Sequence, residues 1–150
     1  FVVKGTSLYH FGILCSTMHN AWVRYTCGRL ESRYRYSKDI VYNNFPWPDA
    51  PTSAQQQKIE AVAQGVLDAR AEFPDASLAD LYDPLTMPPA LVRAHHQLDA
   101  AVDAAYGKKN FRNDVERVAF LFELYRKYTT LLPATGIPAA KRRAGKKRPV

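Results

Sequence analysis

The stretch DIVYNNFPWPDAP, Asp39 to Pro51, decides how this chain is to be divided. Pro46, Pro48 and Pro51 fall within six residues, which forbids a regular helix or a central strand there. Beyond this joint the chain reads as helix. Thr52 or Ser53 caps a helix running to about Glu72, with Ile59, Val62, Val66, Ala69 and Phe73 facing inward. Pro74 stops it. Ser77 opens a short turn with Asp80 at the capping position three residues later. A helix from Pro89 to Tyr106 carries the stripe Leu91, His95, Leu98, Val102 and Ala105 and ends at Gly107. A last helix runs from about Asn113 to Leu132. It is apolar over most of its circumference and is expected to lie centrally.

On the other side of the joint, Leu8, Phe11, Cys15, Met18, Trp22 and Tyr25 recur at spacings of three and four. One helix over Ser7 to Cys27 with Gly28 as its terminator accounts for them. From Arg29 to Val41 no helical period survives. The alternating charge and ring of RYRYS, Arg33 to Ser37, suits a short extended segment with one face buried or set against a ligand. The expected fold is therefore mainly α: a helical bundle with a short extended basic segment and a Pro-rich joint near residues 39–51.

Composition limits the functional classes. The chain has 150 residues, 47% of them hydrophobic, enough for one packed domain. It opens at Phe1 without an initiator Met and reads as a piece of something longer, or as a processed product. The opening FVVKGTSLYHFGILC lacks a basic leader, and His10 interrupts its apolar run, so it does not read as a secretory signal. No stretch approaches the roughly 18 uninterrupted apolar residues of a membrane span. Cys15 and Cys27 do not make a disulfide framework, and a cytoplasmic protein with two free thiols is the simplest fit.

The net charge of +7 is unevenly spread. Lys141, Arg142, Arg143, Lys146, Lys147 and Arg148 supply six of the seven excess charges, leaving 15 basic against 14 acidic residues elsewhere. Asp49 to Ala105 carries nine acids and three bases, whereas Arg24 to Lys38 carries five bases and one acid, Glu31. This polarity suggests an anionic partner for the basic part. The segment from residue 134 onward cannot bury much and is expected to be a basic disordered tail. Such a tail either adds non-specific phosphate affinity or serves solubility alone.

Asn44-Phe45-Pro46-Trp47 follows the apolar pair Ile40 and Val41. That is how an amino-group methyltransferase presents its catalytic loop: the Asn and a backbone carbonyl hold the target amine, and the ring stacks on the base. The chemistry also needs a cofactor site, a Gly-rich turn after a strand and an acid for the ribose. The 43 residues before Asn44 contain only the separate glycines Gly5, Gly12 and Gly28, so no catalytic or cofactor-binding residue is assigned. A proline-rigid linker packing its rings on the body is the plainer reading. Cys15 and His19 form one close pair where structural zinc wants two, so no metal site is assigned. His95 and His96 are adjacent and point in different directions, which prevents chelation. His95 is expected to hydrogen-bond within the bundle.

Arg24, Arg29, Arg33, Tyr34, Arg35, Tyr36 and Lys38 interleave basic and aromatic groups. Arginine grips phosphate in a bidentate fork, and tyrosine bonds phosphate or stacks. The competing account is a basic segment that docks on the acidic helices of its own chain. From composition the two are evenly matched.

Several long motifs then occur in order. STMHNAWVRYTCGRLESRYRYSKDIVYNNFPWP (Ser16 to Pro48) resembles the end of the target recognition region in MmeI-like DNA methyltransferases. VLDAR (Val66 to Arg70), LADLYDPLTMPPALVRAHHQLDAAVDAAYG (Leu78 to Gly107) and ERVAFLFELYRKY (Glu116 to Tyr128) resemble the helical domain that follows it. The resemblance implies a parent enzyme that methylates adenine N6 in a specific DNA sequence with S-adenosylmethionine, in some members fused to an endonuclease. In that family the cofactor and catalytic motifs lie upstream of this region, so none is carried onto these residues. The implied division is residues 1–48 as the end of the recognition region, 49–133 as the C-terminal helical domain and 134–150 as the basic tail. The implied partners are double-stranded DNA and the upstream methyltransferase and recognition domains, with no membrane. Candidates for DNA contact are Arg24, Arg29, Arg33, Tyr34, Arg35, Tyr36, Lys38, Asn43 and Asn44. The alternative is a helical protein–protein interaction module with no nucleic-acid role.

Overall fold

A computed structural model describes residues 5–31, 33–107 and 111–131. The expected tail lies outside these residues. The chain is mainly α-helical. Its helices are α1 (Leu8–Cys15), α2 (Thr17–Thr26), α3 (Ser53–Ala71), α4 (Leu78–Leu81), α5 (Pro89–Ala105) and α6 (Asp114–Leu131). Between α2 and α3 come β1 (Gly28–Leu30), β2 (Arg33–Arg35) and a π-helical turn, Lys38–Tyr42. No described helix is long and apolar enough to cross a membrane.

The single helix expected over Ser7 to Cys27 is two helices. Ser16 leaves the helical region at φ −75°, ψ 159° and caps α2, its hydroxyl accepting from the His19 amide. The same hydroxyl donates to the Ile13 carbonyl at 2.6 Å, closing the end of α1. From α5, Asp99 accepts the Thr17 amide at 2.7 Å and the Thr17 hydroxyl at 2.6 Å. Three of the orphan groups at the break thus find partners, and a bend becomes tolerable. The bend lets α1 lie on α3 and α5 while α2 turns toward α6.

α3 and α5 form the central pair. Thr52 and Gln55 make the capping box that starts α3, and Ser77 with Asp80 makes another at α4. Gly12 of α1 sits where a Cβ would lie 2.8 Å from Ile59 Cγ2 and 3.2 Å from Leu98 Cδ1, so hydrogen there is what permits the close approach. Ile13, Met18, Trp22, Ile59, Val66, Leu91, Leu98, Val102 and Leu121 fill one shared core. Phe73, expected inward, lies on the surface past the end of α3.

α6 is not central. It packs on α2 along one side, burying Val118 and Leu121, while Val115 and Phe122 remain 61% and 40% exposed. Its apolar circumference exceeds what the bundle covers. The Asp103–Arg117 pair at 2.7 Å, with side chains 7% and 12% exposed, ties α6 to α5. Burial pushes the Asp103 carboxyl above its usual range, against the opposing pull of Arg117. His95 of α5 bonds the Tyr82 hydroxyl through Nε2 at 2.6 Å, and Arg70 donates to that hydroxyl from Nε at 2.9 Å. Burial lowers the His95 pKa.

Candidate nucleic-acid interface

The extended basic segment is half of a hairpin. β1 and β2 are antiparallel, with Gly28 opposite Arg35, Arg29 opposite Tyr34 and Leu30 opposite Arg33. Residues directly opposite share a face and successive residues alternate. Arg29 and Tyr34 therefore lie on one face, and Leu30, Arg33 and Arg35 on the other. Arg29 stacks on the Tyr34 ring, its guanidinium carbon 4.6 Å from the centroid, and donates to the Tyr34 hydroxyl at 3.2 Å. The second face is different. Leu30 is 66% exposed, and among the described residues no acidic side chain pairs with Arg33, Arg35 or Lys38. Glu31, at the tip, has φ 56° and turns the chain through the left-handed region.

The base of the hairpin is tied to the body by aromatic groups. The Tyr36 hydroxyl bonds His19 Nε2 at 3.1 Å. His19 is 3% exposed, its ring is edge-on to Phe45 at 4.6 Å, and Nδ1 finds no partner among the described residues. Burial lowers the His19 pKa to about 4, so the ring is neutral near pH 7. Next, Ser37 caps the π turn through the Ile40 amide.

The remaining candidates serve the joint. Asn43 donates to the Asp39 carboxylate at 3.2 Å. Asn44 donates through Nδ2 to the carbonyls of Asp39 at 2.7 Å and Ile40 at 3.1 Å, which closes the π turn. Trp22 Nε1 donates to the Val41 carbonyl at 3.0 Å. Phe45, Pro46 and Pro48 are buried. The Pro46 carbonyl accepts from the Tyr106 hydroxyl at 2.9 Å and the Trp47 carbonyl from the Tyr128 hydroxyl at 3.3 Å. The Trp47 ring meets His10, Tyr42 and Phe45. The Asn44 side chain, which would hold an amine in a catalytic loop, is here engaged in holding the joint, as is the Pro46 carbonyl.

Arg24 stands apart from the hairpin arginines, ion-paired with Asp114 at the start of α6. The structure thus gathers Arg29, Arg33, Tyr34 and Arg35 on the hairpin, with Tyr36 and Lys38 at its base, and assigns Arg24, Asn43 and Asn44 to internal contacts. Sequence reasoning missed His19 as the anchor of Tyr36. Its membership of the stripe-forming helix was visible, but not the partner 17 residues away. Among the described residues, no three His, Cys, Asp or Glu side chains come together to hold a metal ion.

These features define a class, a helical bundle that carries a short basic hairpin on a packed proline joint. Residues 1–49 match the family model of the MmeI target recognition domain, and residues 51–133 match that of the MmeI C-terminal domain. The chain belongs to the MmeI family. DNA methyltransferase A of Bacillus subtilis (strain 168) is 42% identical over 129 residues, covering 86% of this chain and 14% of that protein. The Type IIL restriction-modification enzyme MmeI, solved in complex with DNA, is 52% identical with a TM-score of 0.81, covering 85% of this chain and 17% of that one. The chain therefore spans less than a fifth of the length of either relative.

Proposed function

We propose that this chain is the DNA-docking and bracing C-terminal part of a site-specific DNA methyltransferase acting in the cytoplasm. The parent enzyme transfers a methyl group from S-adenosylmethionine to adenine N6, and catalysis and cofactor binding reside in other parts of it. The observation that carries this reading is the outer hairpin face, where Arg33 and Arg35 project with no acidic partner among the described residues. A two-stranded ribbon fits the major groove of duplex DNA, and unpaired guanidinium groups bind phosphate or guanine edges. The acidic helices of the same chain do not take up these arginines, which disfavours the self-docking account.

The joint gives the hairpin a fixed base. Enzymes that act on a base in a duplex flip it out, and flipping needs a firm hold on flanking phosphates. Tyr36, Trp22, Tyr106 and Tyr128 together fix the segment that follows the hairpin. The upstream recognition and methyltransferase domains are the intramolecular partners. Asn44 is a turn-closing residue in this reading, not the amine-binding one.

The test is the affinity of the chain for random duplex DNA as a function of salt. Log affinity should fall linearly with log salt. Arg33→Ala with Arg35→Ala should reduce the slope by about 2, since each phosphate that a cation neutralises contributes about 0.9. A slope that survives the double substitution would remove the hairpin from the interface. Absence of binding at low salt would favour a protein-interaction module.

A further inference from the structure

We infer that the β1 side of the outer hairpin face, Gly28 and Leu30, is the strip on which duplex DNA lies closest to the chain. Gly28 admits the sugar–phosphate backbone against the ribbon, and Leu30 sets its methyl groups against thymine methyls in the major groove. The strip rests on the DNA reading above and adds two uncharged contacts to its arginines.

Gly28 is a glycine that the fold does not require. It is exposed, its φ lies outside the left-handed region, and a Cβ built on it would meet nothing within 4 Å among the described residues. Gly12 differs, because Ile59 and Leu98 leave no room for a methyl group there, and Gly107 differs because its φ is +77°. Gly65 of α3 also has room, but no cation lies one turn away from it on that helix. A strand residue without a side chain packs nothing and loses more backbone entropy on folding, so alanine would serve this chain better at position 28. The advantage of glycine there lies outside the chain, in letting another backbone approach the ribbon to van der Waals contact. Directly across the ladder is Arg35, so the cleared surface has a guanidinium beside it.

Leu30 completes the strip. It shares the face of Gly28, stands opposite Arg33 and is 66% exposed. A single exposed leucine is ordinary on a protein surface. This one stands beside two arginines that meet no acid among the described residues, on a ribbon whose other face is closed by the Arg29–Tyr34 stack.

Cations flanking an apolar side chain match the major groove, where phosphates line the rims and the thymine methyl is the apolar group on the floor. The order along β1 fits that profile. Leu30 adjoins the tip residue Glu31, and Gly28 joins the ribbon to α2 through Cys27. Two strand residues span about 6–7 Å, close to the groove depth of about 8.5 Å. A ribbon entering tip first therefore carries Leu30 to the floor while Gly28 and Arg35 stop at the phosphate rim. An acidic protein surface would suit the arginines too. The fixed spacing of phosphate rim and apolar floor is what a duplex adds.

The experiment measures affinity of the 150-residue chain for random duplex DNA between about 50 and 200 mM salt, with a second pool in which deoxyuridine replaces thymidine. Gly28→Ala should weaken binding about fivefold and Gly28→Leu further, up to about a hundredfold, because each added atom holds the duplex away. Leu30→Ala should weaken it about tenfold. None of these side chains is charged, so the slope of log affinity against log salt should stay that of the unmodified chain. The unmodified chain should bind the deoxyuridine pool about fourfold more weakly, the contribution of one buried methyl group, whereas Leu30→Ala should bind both pools alike. Urea unfolding supplies the control. Gly28→Ala should have a midpoint equal to or above that of the unmodified chain, and a lower midpoint would show that the fold needs this glycine and overturn the close approach. Equal losses for Ala and Leu at position 28 would make Gly28 a hinge and overturn it as well. Equal binding of the two pools by the unmodified chain overturns the contact given to Leu30. If the Arg33→Ala, Arg35→Ala variant flattens the slope while the Gly28 and Leu30 variants bind as the unmodified chain does, the strip fails and the DNA reading stands. If the unmodified chain binds at no salt, both fail.

Discussion

Gly12 and His19 show how much can depend on one residue. Gly12→Ala would place a methyl group against Ile59, Ala63 and Leu98, the nearest atom 2.8 Å away. All three neighbours are core or helix-packed, so the clash is not relieved by moving a flexible chain end. A loss of about 1–3 kcal/mol is expected, read as a lower urea midpoint with unchanged slope. His19 makes a pH prediction. Its folded pKa, about 4, lies below the unfolded value of about 6.5, so the unfolded chain binds the proton first as pH falls. The neutral ring's contribution is complete above about pH 6.5 and is lost as pH drops toward 4, by an amount on the order of 3 kcal/mol. His19→Phe keeps a ring against Phe45 and removes the titration. Its stability should therefore change less with pH across that window, as followed by urea melts at several pH values. Asp103, whose pKa is raised, works in the opposite direction. The comparison of parent and variant isolates the histidine.

Among the elements, the α1–α2 break and the α5–α6 tie carry the testable claims. Ser16→Ala removes the α2 cap and the bond that closes α1, and should cost about 1–2 kcal/mol. Asp99→Ala removes both acceptor bonds to Thr17 at the same helix end. The two substitutions should be non-additive in thermal unfolding, because they act on one set of orphan amides. Arg117→Ala leaves the Asp103 carboxylate buried without its partner and should cost about 3–5 kcal/mol. Replacing Arg117 by Met and Asp103 by Leu together should recover most of that loss. The elements also differ in how legible they were. α3 and α5 could be read because prolines and capping residues bound them and their stripes are regular. The break at Ser16 could not, because both short helices bury apolar residues at helical spacing and the stripe passes through the bend. β1 has three residues and no period of its own, so the partner of Arg33–Arg35 was invisible. α6 looked central because its apolar positions surround it, yet its position depends on how much area α2 and α5 can cover.

At the scale of the whole molecule, the two regions matched by the family models meet in one core. Ile13, Met18 and Trp22 from the first pack with Ile59, Leu98 and Leu121 from the second. A chain beginning at Asp49 would expose the faces of α3, α5 and α6 that α1 and α2 cover. It should lose the cooperative transition of the full chain, with far-ultraviolet circular dichroism and tyrosine fluorescence no longer coinciding. A sharp, coincident transition in that shortened chain would show that the helical part stands alone.

The sequence by itself determined the helical class, the proline joint, the basic character of Arg24 to Lys38 and the family. All of these lie in local spacing, turn chemistry and contiguous motifs, which survive being read along a line. It also left the basic segment open between an anionic ligand and the chain's own acidic helices. Only the tertiary structure decided which of the candidate side chains are engaged within the chain. Arg24 meets Asp114 across 90 residues, Asn44 turns onto its own backbone, and Arg33 and Arg35 meet no acid among the described residues. An ion pair depends on the distance between side chains in space, and sequence separation does not encode that distance until the helices have packed.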